Sequence, residues 1–180
     1  KELKAANYSY DNLNSIGLGL DYAESLIENK KNAEAVAYLN TLFAQASKLK
    51  AINGQVGSLT LLTQLDAKKQ KKKLLLAAKN ENNVYRHVAL SLLHKYGDAN
   101  DTKKLLALAA KSSPAVQESL LNYIAQNGSI SQLKAIEKIV DKSTDAHAKL
   151  AGLSAINLLS KGADSKALID NLSNDAQLNE

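Results

Sequence analysis

The chain has 180 residues, 45% of them apolar, which suits one domain with a sizeable core, or a short solenoid, and argues against a disordered chain. Abundant Leu and Ala, with no Trp, one Phe and a single proline, Pro114, favour closely approaching helices over a β-branched or aromatic sheet core. The absence of cysteine excludes a disulfide framework, a thiolate metal site and a thiol nucleophile, and the net charge of +5 is unevenly placed: residues 1–90 carry 13 basic and 8 acidic side chains, against 10 and 10 in residues 91–180.

Residues 1–10 show no clear period and read as an extended lead-in. Asp11 is placed to cap a helix through Leu20, Tyr22, Leu26 and Ile27 that stops at the polar break of Asn29 to Lys31. Asn32 is placed to cap the next helix, whose apolar positions Val36, Leu39, Phe43 and Ala46 recur at helical spacing. Asn53–Gly54 fits either a turn or the first turn of a helix through Val56, Leu59, Leu62 and Leu65. A break at Asp66–Ala67 precedes a helix that begins in lysine and ends in leucine, KKQKKKLLLAAK. Its tail is similar to TKKLLALAAK, Thr102 to Lys111, which draws residues 55–80 into the same register as the C-terminal half of the chain.

Three later stretches can be laid over one another: Tyr85 to Asp98, Val116 to Ser129 and Leu150 to Ala163. Each is a helical run stopped by a glycine and followed by a second short helical run. The glycines, Gly97, Gly128 and Gly162, stand 31 and 34 residues apart. A period in that range is that of stacked helix pairs, because one pair cannot bury its apolar face alone. The expected fold is therefore an all-α solenoid of about five antiparallel helix pairs, forming a single domain over residues 1–180. An atypical pair at 11–48 precedes four repeats at 51–79, 82–111, 113–142 and 145–174.

Four, eight and twelve residues before the glycines lie Leu93, Ala89 and Tyr85; Ile124, Leu120 and Val116; and Leu158, Ser154 and Leu150. Positions four apart share a helix face, so these predict the buried seam. In the second helices the matching stripes are Leu105, Leu106 and Ala109; Leu133, Ile136 and Val140; and Leu168, Ile169 and Leu172.

The run from Tyr85 to Lys111 resembles a HEAT-like repeat of the short bacterial kind, with Tyr85–Arg86 opening the first helix and Tyr96–Gly97–Asp98 closing it. The resemblance covers about residues 55–175 of the chain. Gln117 replaces the arginine in the next repeat, Ser129 and Ala163 replace the aspartate, and the helix-A proline of eukaryotic HEAT repeats is missing. The resemblance implies a right-handed superhelix in which Arg86 and Asp98 tie adjacent repeats through polar contacts. It implies no particular function, since one scaffold hosts many roles.

The strongest local oddity is the cluster Lys68, Lys69, Lys71, Lys72 and Lys73, which opposes the helix dipole at an N-terminus. It reads either as a patch for an anionic polymer or as a solvated helix face. Nucleic-acid readers interleave arginine and aromatics with their lysines, and this chain has one Arg and no aromatic in the cluster. His87 and His94 are seven apart, about 10 Å by helix rise, too far to share a metal, and His147 lies two repeats on. Gly17–Leu18–Gly19 reads as a close-packing site or a helix irregularity. Asp98 with Asp101, and Asp141 with Asp145, fall at helix ends, where capping accounts for them. Tyr22, Tyr85, Tyr96 and Tyr123 read as half-buried core residues with polar tips, and Tyr8 and Tyr10 lie in the N-terminal region.

No nucleophile elbow, zinc-protease motif or cofactor fingerprint occurs, so neither catalysis nor a cofactor is expected. No apolar run approaches the ~20 residues of a membrane helix. Position 1 is Lys, and the chain reads as a processed or excised piece, periplasmic or secreted. The expected role is a non-catalytic scaffold that binds a protein partner or an adjoining domain, with an anionic polymer as a candidate ligand of the lysine cluster. The alternatives are the accessory helical domain of a larger secreted bacterial sugar-active protein, and a nucleic-acid-binding solenoid.

Overall fold

The computed structural model describes residues 11–161. They form helices α1 (Asp11–Glu28), α2 (Asn32–Lys48), α3 (Ile52–Ala78), α4 (Asn83–Tyr96), α5 (Ala99–Ala109) and α6 (Pro114–Asn127). A 3-10 turn at Ile130–Gln132 then leads into α7 (Leu133–Lys142) and α8 (Ala146–Ser160). The all-α expectation holds, with no strand among the described residues. The chain divides into two compact units, Lys1–Lys73 and Leu74–Glu180, and the boundary falls within α3.

In the first unit glycine lets the helices approach. A Cβ on Gly19 would meet the Tyr38 hydroxyl at 3.0 Å and Leu42 at 3.1 Å, so α1 lies hard against α2. Gly17, by contrast, faces open space. Asn53–Gly54 proves to be the first turn of α3, and a Cβ at Gly54 would stand 2.7 Å from Ile16 and 2.8 Å from Ala46. Leu39, Ala23 and Leu62 form one buried cluster with Leu20 and Val36 packed against it, and Ile16, Leu42 and Ala46 form another. Tyr22 is exposed, and its ring meets Tyr38 edge-on at 5.0 Å. Asn32 is not a cap. It is the first helical residue, preceded by Lys31, which makes no side-chain capping bond.

The helix pair expected at 51–79 consists of two helical segments, 52–65 and 67–78, that meet at Asp66 with no loop between them. Asp66 leaves helical geometry (φ −156°, ψ 82°), and its carboxylate accepts the amide of Lys69 at 3.2 Å. The break read at Asp66–Ala67 is therefore real, and Asp66 serves as an N-cap for the second segment, 67–78.

In the second unit the entrances of α4, α5 and α8 are fixed by polar side chains. Asn82 caps α4 through the amide of Tyr85, and Asp145 caps α8 through the amide of Ala148. Asp98 and Asp101 form a reciprocal capping box on α5. Ser113 stands at the cap of α6, but its hydroxyl donates to Glu81 at 2.9 Å. The caps Asn82, Ser113 and Asp145 are 31 and 32 residues apart.

Gly97 and Gly128 end α4 and α6 in extended backbone, their amides donating to Leu93 and Ile124 at 2.7 Å. A Cβ at either would run into that same carbonyl oxygen, so the need for glycine is steric closeness and not a positive φ. Gly162 and the stripe Leu168, Ile169 and Leu172 lie outside the described residues.

α4 and α6 run parallel. Arg86 Nε donates to Ser119 Oγ at 2.9 Å, and His94 Nδ1 lies 2.6 Å from Asn127 Oδ1, each pair 33 residues apart in sequence. α5 lies antiparallel to α6, because Gln117 Nε2 donates to the Ala109 carbonyl while Tyr123 hydrogen-bonds with Thr102 at the other end. α8 packs on both α6 and α7. Gly152 lets it do so, since a Cβ there would overlap the Val140 side chain.

The predicted seam holds in the first two stretches, where Tyr85, Ala89, Leu93, Val116, Leu120 and Ile124 are all buried. Leu105, Leu106, Ala109, Ile136 and Val140 are buried as well, with Leu133 half-buried. In α8 the seam is wrong: Leu150 is 46% exposed, Leu158 is 56% exposed, and Ser154 is exposed too. The buried positions there include Ala148, Gly152 and Ile156, 32 residues beyond Val116, Leu120 and Ile124. α8 ends on Lys161 in left-handed backbone (φ 55°), unlike α4 and α6. Aligning on Gly162 therefore slips the register by two residues and selects the opposite face.

Candidate interaction site

The lysine cluster does not present one face. Lys69 Nζ pairs with Asp66 at 3.0 Å, which holds the Asp66 carboxyl below its usual pKa, with the Lys69 amide adding to the effect. Lys73 turns onto α2, donating to Asn40 Oδ1 at 2.7 Å with its ammonium 5.1 Å from the centre of the Phe43 ring. Burial there pushes its pKa down. Lys71 is half-buried, which leaves Lys68, Lys69 and Lys72 exposed. Its members thus serve partly to clip α3 onto α2.

Arg86 joins two helices of the second unit. It is 4% exposed, and besides Ser119 its Nη1 donates to the carbonyls of Asn80 (2.7 Å) and Glu81 (3.1 Å). One guanidinium thus binds the chain entering α4 to the neighbouring helix α6. Asp98 accepts the amides of Asn100 and Asp101, capping its own helix.

His87 and His94 both face the shallow furrow between α4 and α6, in company with Ser91, Asn122 and Gln126. His94 is taken up by Asn127, and among the described residues no group of three metal-ligating side chains converges. Tyr85 and Tyr123 are core residues, and burial raises the pKa of each.

A concavity of about 670 Å³ lies elsewhere in the second unit, between α5 and α7. Its floor is apolar and shallow because the residues there are small: Ala107 and Ala110 at α5 and Ala135 on α7, over the buried Leu106 and Ile139. Lys103, Lys138 and Lys142 stand around it, all exposed. The carboxylate at its edge, Asp145, accepts the Ala148 amide. The acidic residues of α7, Glu137 and Asp141, do not line the groove. At 100° per residue Glu137 projects about 100° from Lys138, and Asp141 about 60° from Lys138 and about 100° from Lys142, both on the side away from Lys142. Charge is thus sorted around α7, with the basic side turned to α5.

None of the three groove lysines stands out in the sequence. The signal that finds them is the pair of small-residue rows flanked by lysine at i, i+4 spacing, and it acquires meaning only once α5 and α7 are known to be neighbours.

No protein-family model matches the chain, and no curated protein or solved structure matches it. Among the described residues no helix is long and apolar enough to cross a membrane.

Proposed function

We propose that this chain is a non-catalytic α-solenoid of the HEAT-like kind that binds a protein partner along its second-row helices. The observation that carries this reading is the α5–α7 groove, a preformed apolar floor ringed by exposed lysines. It has the volume of a ligand site, in which a few polar groups orient an otherwise apolar contact. The stacked-hairpin architecture is supported by the regular cap spacing and by the parallel, cross-linked pair α4 and α6. The reading without catalysis is supported by the use of Asp98, Asp101 and Asp145, which bind backbone amides as caps. The division of the lysine cluster weighs against a nucleic-acid role, because the electrostatic track such binding needs is interrupted by Lys69 and Lys73.

The test is site-specific photo-crosslinking in the source cell, with the probe at exposed Ala107 in the groove and at exposed Lys95 as a control. The expected result is one protein adduct formed from position 107 and absent from position 95. Identical adduct patterns at the two positions, or none at 107, would refute the reading.

A further inference from the structure

We infer that the α5–α7 groove takes a short acidic amphipathic helix, with apolar side chains laid on the alanine floor and carboxylates reaching Lys103, Lys138 and Lys142. The inference rests on the scaffold reading above and names the class of partner.

Three features of the groove select that ligand. The floor residues Ala107, Ala110 and Ala135 are small and exposed, so they leave room for inserted side chains without any helix moving. The lined length spans Lys103 to Ala110 at α5 and Ala135 to Lys142 on α7, about 10 Å or two turns on each. A third helix laid along it would present two apolar residues at i, i+3 or i, i+4, the spacing by which amphipathic helices occupy grooves. The rim is basic on both helices, and Lys138 and Lys142 stand one turn apart on one face, matching carboxylates at the same spacing on a partner.

Complementary charge of this kind raises the association rate and rejects basic partners, while the apolar floor supplies affinity. A nucleic-acid strand would satisfy the lysines but leave the alanine floor unused, since no aromatic or arginine lines the groove for base stacking.

The experiment measures fluorescence anisotropy with the full chain and a labelled helical peptide of about four turns, carrying Leu at i, i+3, i+4 and i+7 and Glu elsewhere. One control peptide carries Lys for every Glu, and another carries Ser for every Leu. The expected result is binding of the Leu/Glu peptide at least about tenfold tighter than either control at about 0.1 M salt. The triple variant K103E/K138E/K142E is expected to lose at least about tenfold, and Ala107→Trp, which fills the floor without changing charge, to lose a similar factor. Reversing Lys68 and Lys72 is expected to change nothing. Circular dichroism confirms that each variant remains folded.

Equal binding of the Leu/Lys peptide, or indifference to the triple reversal, would overturn the inference. If crosslinking at Ala107 captures a partner while the Leu/Glu peptide does not bind, the scaffold reading stands and the acidic-helix assignment falls. If both experiments fail, both readings fall.

Discussion

Arg86 and Ser119 lie 33 residues apart in sequence and 2.9 Å apart in space. The guanidinium that joins them also holds the Asn80 and Glu81 carbonyls, so one buried cation serves two backbone acceptors and one hydroxyl. Arg86→Ala is expected to cost about 2–4 kcal/mol, since it removes three hydrogen bonds from a charged donor together with the packing of a buried side chain. Arg86→Lys is expected to recover less than half of the loss, because an ammonium cannot reproduce the planar fork. Urea unfolding with an unchanged m-value is the measurement. A cost of Arg86→Ala below about 0.5 kcal/mol would refute this account of the residue.

Gly152 and Val140 test how closely α8 and α7 pack. Gly152→Ala places a methyl group where the Val140 side chain already stands, and it is expected to destabilise by about 1–3 kcal/mol despite the better helix propensity of alanine. Adding Val140→Ala is expected to return part of that loss. A double-mutant cycle with no coupling would contradict the contact.

The buried face of α8 gives a sharper contrast. Ile124→Asp in α6 and Ile156→Asp in α8 are expected to unfold the second unit, because each sets an unpaired carboxylate in the core. Leu158→Asp is expected to change stability by no more than about 0.5 kcal/mol. Thermal unfolding of the three variants checks the pattern. The seam counted back from Gly162 predicts the reverse ranking for the two α8 positions.

Stability is expected to decline in alkali. Burial raises the pKa of Tyr85 and Tyr123 above the ordinary phenol value, and for Tyr123 the carboxylates of Asp101 and Asp98 add to burial against the hydrogen bond with Thr102. The folded chain therefore holds these protons more tightly than the unfolded chain does. That contribution is complete below about pH 10 and is lost as pH rises through the folded values, at no more than about 1.4 kcal/mol per pH unit for each tyrosine. Tyr85→Phe with Tyr123→Phe is expected to flatten the slope in pH-dependent urea unfolding. An unchanged slope would show that the two phenols are not its source.

These contrasts show which parts of the fold are legible in the sequence. Composition and helical spacing suffice for the all-α class, and the polar breaks at Asn29 to Lys31 and at Asp66 are visible because capping chemistry is local. The face of α8 is not visible. Packing against α6 and α7 together demands small side chains, so Ala148, Ala151, Gly152 and Ala155 turn inward beside Leu153, while Leu150 and Leu158 are left outside. A reading that ranks burial by apolarity favours the leucines, whereas close helix contact rewards the absence of bulk. The groove lysines are hidden for another reason: Lys103 and Lys138 carry no local pattern that reveals which helix faces converge.

The paired clasps between α4 and α6 also govern where the chain tolerates changes in length. One residue inserted between Arg86 and His94 would rotate His94 by about 100° away from Asn127 while Arg86 stayed in place. The same insertion in the turn at 110–113 leaves both helices and both clasps untouched. Length variation in this part of the molecule is thereby confined to its corners, and the helices act as fixed-length rungs.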